Sequence, residues 1–345
     1  MKLLRPDQLD LIDRRLRQVI RQRFDAPEVA PMREHVLAYV LHGGKRIRPQ
    51  LTIWLWQLLA GRDVDEAGAD GGAAVLDAAC AWELFHAFLL AHDDIIDNSD
   101  TRRGADALHR RLAALDGNTK RFGINMGIVA GDLLYSLAGG LMHDLPGLEP
   151  ARHLRVLRAF GEVARVTGFG QAVDIVSGHV ELGDVDEAAL MREYGWKTAA
   201  YTFEGPMLTA ALLAGSDEAT LGRIRRYAMA LGRAYQLHND LLDLSTPVTD
   251  EGGDLLEGKR TLTLVRARRS VPDLDRRMSE LRGSPDRAEA LRQDLLASGA
   301  IDETRGLIQD CVRDSADACD DLPDPLQSGM RELLTQIDRR YLSTI

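Results

Sequence analysis

Three carboxylates, Asp93, Asp94 and Asp97, follow directly on a largely apolar run. On a helix Asp93 and Asp97 are one turn apart and share a face, close enough to hold cations between them. Like charges at that distance repel, so the spacing asks for something positive. The competing reading is an acidic helix end on a solvated surface. Oxygen-only donors suit Mg²⁺, which takes one or two carboxylates and completes its shell with water and phosphate oxygens. Arg102 and Arg103 come shortly after, and guanidinium forks hold phosphates.

A second acidic group, Asn239, Asp240 and Asp243, lies in Tyr235–Asp243 and again follows apolar and small residues. Asn239 and Asp243 are four apart, which gives another helix face of oxygen donors. One such group could be surface. Two, each at the end of an apolar helix, are better read as facing each other across a bundle cavity. Basic residues supply the third ingredient. His42–Pro49 reads as the start of a helix, where free backbone N–H groups and the helix dipole favour anions. Gly43 and Gly44 permit close backbone approach, and Lys45 and Arg48 fall on one face. Lysine and arginine are disfavoured at a helix N-terminus unless an anion is there, although an ordinary glycine turn remains the alternative. Lys197-Thr198 and Gly258–Thr261 are individually weak signals.

The elements that must position these groups read as helices nearly throughout. Leu9, Ile12, Leu16, Val19 and Ile20 fall at helical spacing between Asp7 and Phe24. Pro27 and Pro31 break that run, a short helix through Val40 leads to Gly43-Gly44, and a helix rich in Leu and Trp runs to Gly61. Gly61 to Gly72 reads as a loop. The stretch Ala73–Asn98 is apolar nearly all round, as for the centre of a bundle. Further helices are predicted over Ile124–Met142, Ala151–Gly178, Glu187–Ala214 and, capped by Ser216-Asp217, to Ser245. Thr246–Gly258 is loop-like. Shorter helices follow, broken at Pro272, Gly283–Pro285, Gly299 and Pro323–Pro325. No alternating segment of useful length predicts a strand, and no stretch has linker composition. The expectation is one all-α domain over residues 1–345.

Composition narrows the function. A net charge of −10 argues against a nucleic-acid partner, which usually needs a basic face. It leaves room for an anionic substrate where local cations or metal ions outweigh the global field. Three cysteines form neither a disulfide framework nor a paired CxxC zinc site, a pattern that suits a reducing cytoplasm. Asp7, Asp10 and Asp13 interrupt any signal-peptide core, and the apolar run Leu51–Ala60 is too short for a membrane span.

Taken together, seven segments are similar to the signatures of the polyprenyl synthetase family, the trans-isoprenyl diphosphate synthases. They are GGKRIRP (Gly43–Pro49), DDIID (Asp93–Asp97), TRRG (Thr101–Gly104), GQAVD (Gly170–Asp174), KT (Lys197-Thr198), YQLHNDLLD (Tyr235–Asp243) and GDLLEGKRTL (Gly253–Leu262). They stand in the family's order and cover about residues 40 to 265. The resemblance implies an all-α, single-domain helical bundle around a deep central cavity, assembled as a homodimer. It implies that Gly44, Lys45, Arg48, His86 and Arg103 bind the diphosphate of isopentenyl diphosphate. Arg102, Lys197, Thr198, Gln236 and Lys259 would bind an allylic diphosphate. Asp93, Asp94 and Asp97, with Asn239, Asp240 and Asp243, would hold Mg²⁺, three ions in all. Asp93, Asp97, Arg102, Lys197 and Lys259 are the residues expected to carry catalysis.

Two positions depart from the pattern. Asn239 stands where the second motif normally begins with Asp, which keeps an oxygen ligand but loses a charge. Thr249 stands where a diphosphate-binding Lys is usual. A terpene cyclase also places Asn at the first of these positions, but needs Ser or Thr four residues on and an acid four beyond. Here those positions are Asp243 and Pro247. Product length depends on what blocks the cavity floor before Asp93. Phe88, five before it, is aromatic and Leu89, four before it, is not, with Phe85 a turn further back. That combination resembles geranylgeranyl (C20) synthases more than farnesyl synthases. The expected reaction is therefore trans-prenyl transfer to a C20 product, with farnesyl or another length, or a cyclase-like enzyme, as rivals. A non-catalytic subunit fits poorly with two intact basic clusters and a complete first motif.

Overall fold

The computed structural model describes residues 3–64, 71–246, 254–281 and 284–342. In chain order the helices are α1 (Pro6–Arg23), α2 (Ala30–Leu41), α3 (Ile47–Ala60), α4 (Gly72–Ile96), α5 (Leu108–Ala113), α6 (Lys120–His143), α7 (Pro150–Ser177) and α8 (Glu187–Tyr194). A π-helical segment, Gly195–Glu204, follows, then α9 (Gly205–Ala214), α10 (Glu218–Ser245), α11 (Asp254–Glu257), α12 (Leu262–Ala267), α13 (Leu274–Ser279), α14 (Pro285–Ala297), α15 (Ala300–Asp317) and α16 (Leu326–Ile337). The chain is all-α, as its periodicity predicts. Among the described residues the strands are one antiparallel pair, β1 (Thr101–Arg102) and β2 (Ala105–Asp106). Contacts divide the chain into two compact units, Met1–Phe160 with Pro206–Ser216, and Gly161–Gly205 with Asp217–Ile345.

In the first unit α4 is the central element and packs against α6, α3 and α1. Its apolar circumference has the expected consequence: Val75, Ala78, Cys80, Trp82 and Leu84 are fully enclosed. The Trp82 indole N–H finds the Thr209 hydroxyl of α9 at 3.1 Å, which satisfies the one polar atom on a ring buried that deeply. Both α4 and α6 are long and apolar enough to cross a membrane by length and composition, and α4 is mostly buried in protein. Isoleucine, valine, leucine and tyrosine stay exposed along α6 at Ile128, Val129, Leu133 and Tyr135.

In the second unit α10 is the hub, packed against α15 and the π-helical segment. Asp217 caps α10 by accepting from Thr220 N at 2.8 Å, as the Ser216-Asp217 signal predicts. The stretch expected as one helix, Glu187–Ala214, is instead three pieces. The middle piece winds as a π-helix and lies closely against two glycines. A Cβ on Gly170 of α7 would overlap the backbone of Lys197, and one on Gly232 of α10 would overlap Ala199. That wider winding is rare and is found mostly at functional sites.

Candidate active site

The first unit gathers the predicted isopentenyl residues around a hairpin that period-2 reasoning could not see. Helix α4 stops at Ile96, and Asn98 then takes the left-handed conformation (φ 54°). Three residues further on a hairpin begins, pairing Arg102 with Ala105 across Arg103 (φ 57°) and Gly104 (φ 72°). Two positive φ values in a two-residue loop match the right-handed strand twist, so β1 and β2 close tightly. The arginines expected about a turn beyond the aspartates therefore sit on a hairpin, and they diverge. Arg103, at the tip, reaches the His42 carbonyl (3.3 Å) and His86 Nε2 (3.2 Å). Its guanidinium also lies over Gly44, where a Cβ would stand 2.7 Å from Nη1. A guanidinium only donates, so His86 Nε2 accepts and the imidazole is neutral, with its proton on Nδ1. Burial, then the nearby Arg48 and Arg103, push the His86 pKa well below its usual value, which agrees with that assignment.

Arg102 turns the other way. It makes an ion pair with Asp94, donating through Nε at 2.6 Å. Asp94 is fully buried and also accepts from the Tyr39 hydroxyl (3.3 Å). Burial pushes its carboxyl above the ordinary range, with Arg102 working against that. Among the three aspartates expected as metal ligands, Asp94 is thus turned inward to anchor Arg102. Asp93 and Asp97 are half-buried on the last turn, joined by the bond Asp97 N to Asp93 O (2.8 Å). A pocket beside them is lined by Tyr39, His42, His86, Arg102, Arg103 and Arg111, an arginine-rich wall fitted to an anion.

The glycine turn is built on a residue the motif reading passed over. Gly43 (φ 61°), Gly44 (φ 88°) and Arg46 (φ 48°) are all left-handed. For Arg46 that conformation costs about 1–2 kcal/mol. A buried ion pair holds it: Arg46 donates to Glu83 (2.7 Å) and Asp13 (3.0 Å). Glu83 lies three residues before His86 on α4, so one helix fixes both the turn and the histidine it faces. Gln50 adds a bond to the Lys45 carbonyl at 2.6 Å. Arg48 is buried on α3 and Lys45 is exposed.

On the same helix Phe88 is half-buried, with ring centroids 5.6 Å from Phe85, 5.2 Å from Tyr135 and 4.9 Å from His92. Phe85 is buried against Trp82 and Phe160, while Leu89 is half-buried. Tyr135 of α6 was not foreseen, because contact across helices is invisible to spacing along one.

The second unit brings together most of the predicted allylic residues. Lys197 pairs with Asp174 of the GQAVD segment. Thr198 donates to the Gln236 carbonyl oxygen at 2.6 Å, and Gln236 Nε2 donates to Asp240 at 2.7 Å. Asp240 is buried and also accepts from the Tyr194 hydroxyl, so it too faces inward. Asn239 and Asp243, half-buried, flank it in sequence. Lys259 is half-buried just before α12. Glu193 is buried nearby, and its pKa is raised to about 8 by burial first and then by Asp174. Thr249 and the first residue of GDLLEGKRTL lie outside the described residues.

Among the described residues no three of His, Cys, Asp or Glu gather closely enough to cage a bare ion. One or two carboxylates per helix, all-oxygen, is nevertheless the donor set of Mg²⁺ sites completed by phosphate, and Asp93 with Asp97, and Asn239 with Asp243, supply it.

An all-α scaffold with two helix ends bearing metal-capable oxygens and an arginine-rich pocket suits chemistry on a diphosphate. The polyprenyl synthetase family model matches residues 30–297, and the chain belongs to that family. It is a metal-dependent prenyltransferase of isoprenoid biosynthesis. It is 33% identical over 309 residues to a geranylfarnesyl diphosphate synthase from Natronomonas pharaonis, covering 86% of this chain and 84% of that one. A geranylgeranyl pyrophosphate synthase from Geoglobus acetivorans is 31% identical over 276 residues, 77% of each chain. Among solved structures, the geranylgeranyl pyrophosphate synthase of Corynebacterium glutamicum, complexed with isoprenyl diphosphate and magnesium, aligns with a TM-score of 0.81 at 29% identity. That alignment covers 97% of this chain and 99% of the other.

Proposed function

We propose that the enzyme condenses isopentenyl diphosphate with an allylic diphosphate to make geranylgeranyl diphosphate. The observation that carries this is the intact Arg103–His86–Gly44 cluster in an arginine-rich pocket, which a cyclase has no use for. Arg103, Arg48 and Lys45 hold the isopentenyl diphosphate, and neutral His86 orients Arg103. Lys197, Thr198, Gln236, Lys259 and Arg102 bind the allylic diphosphate. Asp93 and Asp97 in one unit, and Asn239 and Asp243 in the other, are the residues that would hold Mg²⁺, three ions being the expected complement. Mg²⁺, when bound, supplies positive charge to the diphosphate that leaves.

Fixed cations aimed at the departing diphosphate stabilise the charge that develops as the allylic C–O bond breaks, with both electrons going to oxygen. The isopentenyl double bond then attacks the allylic carbon, and the new cation loses a proton to the released diphosphate. No protein nucleophile or base is needed. Apolar side chains such as Phe88 keep water from the cation.

The C20 length rests on Phe88 with non-aromatic Leu89 after it. The assay is purified enzyme with Mg²⁺, isopentenyl diphosphate and, separately, C5, C10 and C15 allylic diphosphates, with dephosphorylated products sized by chromatography. Release of a cyclic hydrocarbon without consumption of isopentenyl diphosphate would overturn the reading. A second copy of the chain is the partner proposed for the exposed α6 face of Ile128, Val129 and Leu133. A monomer in sedimentation equilibrium would remove that partner. A cytoplasmic location is proposed from three free, buried cysteines. Secretion of the native protein with a cleaved leader would exclude it.

A further inference from the structure

We propose that Tyr194, the last residue of α8, is a positioning residue whose hydroxyl sets the α10 donors and the Lys259 segment in register. This rests on the functional reading above. The ring is buried, and its hydroxyl stands between two partners. The Leu262 N–H, at the start of α12, donates to it at 3.0 Å. A backbone N–H can only donate, so the tyrosine oxygen accepts there and its own proton goes to Asp240 Oδ2. Asp240 Oδ1 accepts from Gln236 Nε2 at 2.7 Å, and the Gln236 oxygen accepts from Thr198 at 2.6 Å. The direction of every bond in this chain is therefore forced.

The chain ties three elements together. Thr198 belongs to the π-helical segment that carries Lys197, Gln236 and Asp240 to α10, and Leu262 follows Lys259 by three residues. With both Asp240 oxygens held from inside the unit, α10 cannot rotate about its axis. Asn239 and Asp243 lie about 100° and 60° from Asp240 on the same side of the helix, so they share a face and keep one fixed direction. Tyr194 touches neither substrate nor metal in this scheme; it acts through Asp240 and through the backbone that leads to Lys259. Outer partners of this kind typically change ligand affinity by about 10–100-fold when removed.

Tyr194→Phe keeps the ring and deletes only the hydroxyl. The probe is the S-thiolo analogue of an allylic diphosphate, which binds but does not ionise, titrated calorimetrically with Mg²⁺ present. The expected result is binding weakened about tenfold or more, and a higher Mg²⁺ concentration for half-maximal binding, while the KM for isopentenyl diphosphate stays unchanged. In a double-mutant cycle, Tyr194→Phe with Asp240→Asn should lose little more affinity than Asp240→Asn alone. A Phe variant that melts lower yet binds the analogue as tightly as wild type overturns the inference, leaving the hydroxyl a purely structural group. Additive losses in the cycle overturn it as well. Wild-type protein that does not bind the analogue overturns the functional reading itself, and this inference with it.

Discussion

Phe88→Ala tests the proposed control of product length. In the structure Phe88 is half-buried and touches Phe85, Tyr135 and His92, with the Tyr135 ring 5.2 Å away and the His92 ring 4.9 Å away. A fully buried Phe→Ala costs about 3–5 kcal/mol, so half burial predicts a loss of about 2 kcal/mol. Against a total stability of about 5–15 kcal/mol the variant stays folded. The functional effect is larger than the structural one. Another isoprene unit brings five carbons, and at about 0.8 kcal/mol per buried CH₂ the vacated volume offers up to about 4 kcal/mol to a longer chain. That is enough to turn a minor product into the main one. With isopentenyl diphosphate and a C15 primer, chromatography of the dephosphorylated products should show C25 or longer chains replacing C20. Tyr135→Ala, which opens the same ring stack from the α6 side, should shift the distribution in the same direction but less. A folded Phe88→Ala enzyme with an unchanged product ladder would refute the reasoning and move the block to another helix.

Two further outcomes follow from the geometry. Gly44→Ala puts a Cβ 2.7 Å from Arg103 Nη1 at a φ of 88°, so Arg103 must move off its place. Losing one charge-assisted bond, about 1.5–3 kcal/mol, should raise the KM for isopentenyl diphosphate about tenfold or more with the allylic KM unchanged; equal rises in both would count against the assignment. Glu193 has a folded-state pKa of about 8 against an ordinary 4.5. Below about pH 4.5 it is protonated folded and unfolded alike. As pH rises toward 8 only the unfolded chain releases the proton, so wild-type stability falls across that window and levels above it. In metal-free protein, denaturant unfolding should show Glu193→Gln gaining up to a few kcal/mol on wild type between pH 5 and 8. A stability difference that does not vary with pH would contradict the burial account.

Much of this was legible in the residues. Asp93, Asp97 and the glycine turn announce themselves because charge and glycine are costly where they have no purpose. Helical period found α4 and α10 within a few residues of their ends. What stayed hidden was direction. Asp93 and Asp94 are neighbours, and nothing in their spacing says that Asp94 turns inward to Arg102 and Tyr39 while Asp93 does not. The β1–β2 hairpin is too short for any alternation to register. The π-helical segment keeps an apolar pattern that passes for α-helix, and its close approach to Gly170 and Gly232 comes from elements distant in sequence. Arg46 carries no signal of its own between Lys45 and Arg48, yet its left-handed backbone and its bonds to Glu83 and Asp13 make it part of the frame.

For anyone redrawing the product range of this enzyme, latitude is unevenly distributed. The rings of Phe88 and Tyr135 meet at half-exposed positions, where side chains can be trimmed or enlarged with modest loss of stability. The segment carrying Lys197 has no such slack, because its backbone rests on Gly170 and Gly232 with no space for a single methyl group. A mutational library should therefore vary α4 and α6 freely and leave those two glycines as they are. Evolution of new chain lengths in this scaffold would be expected to follow the same division.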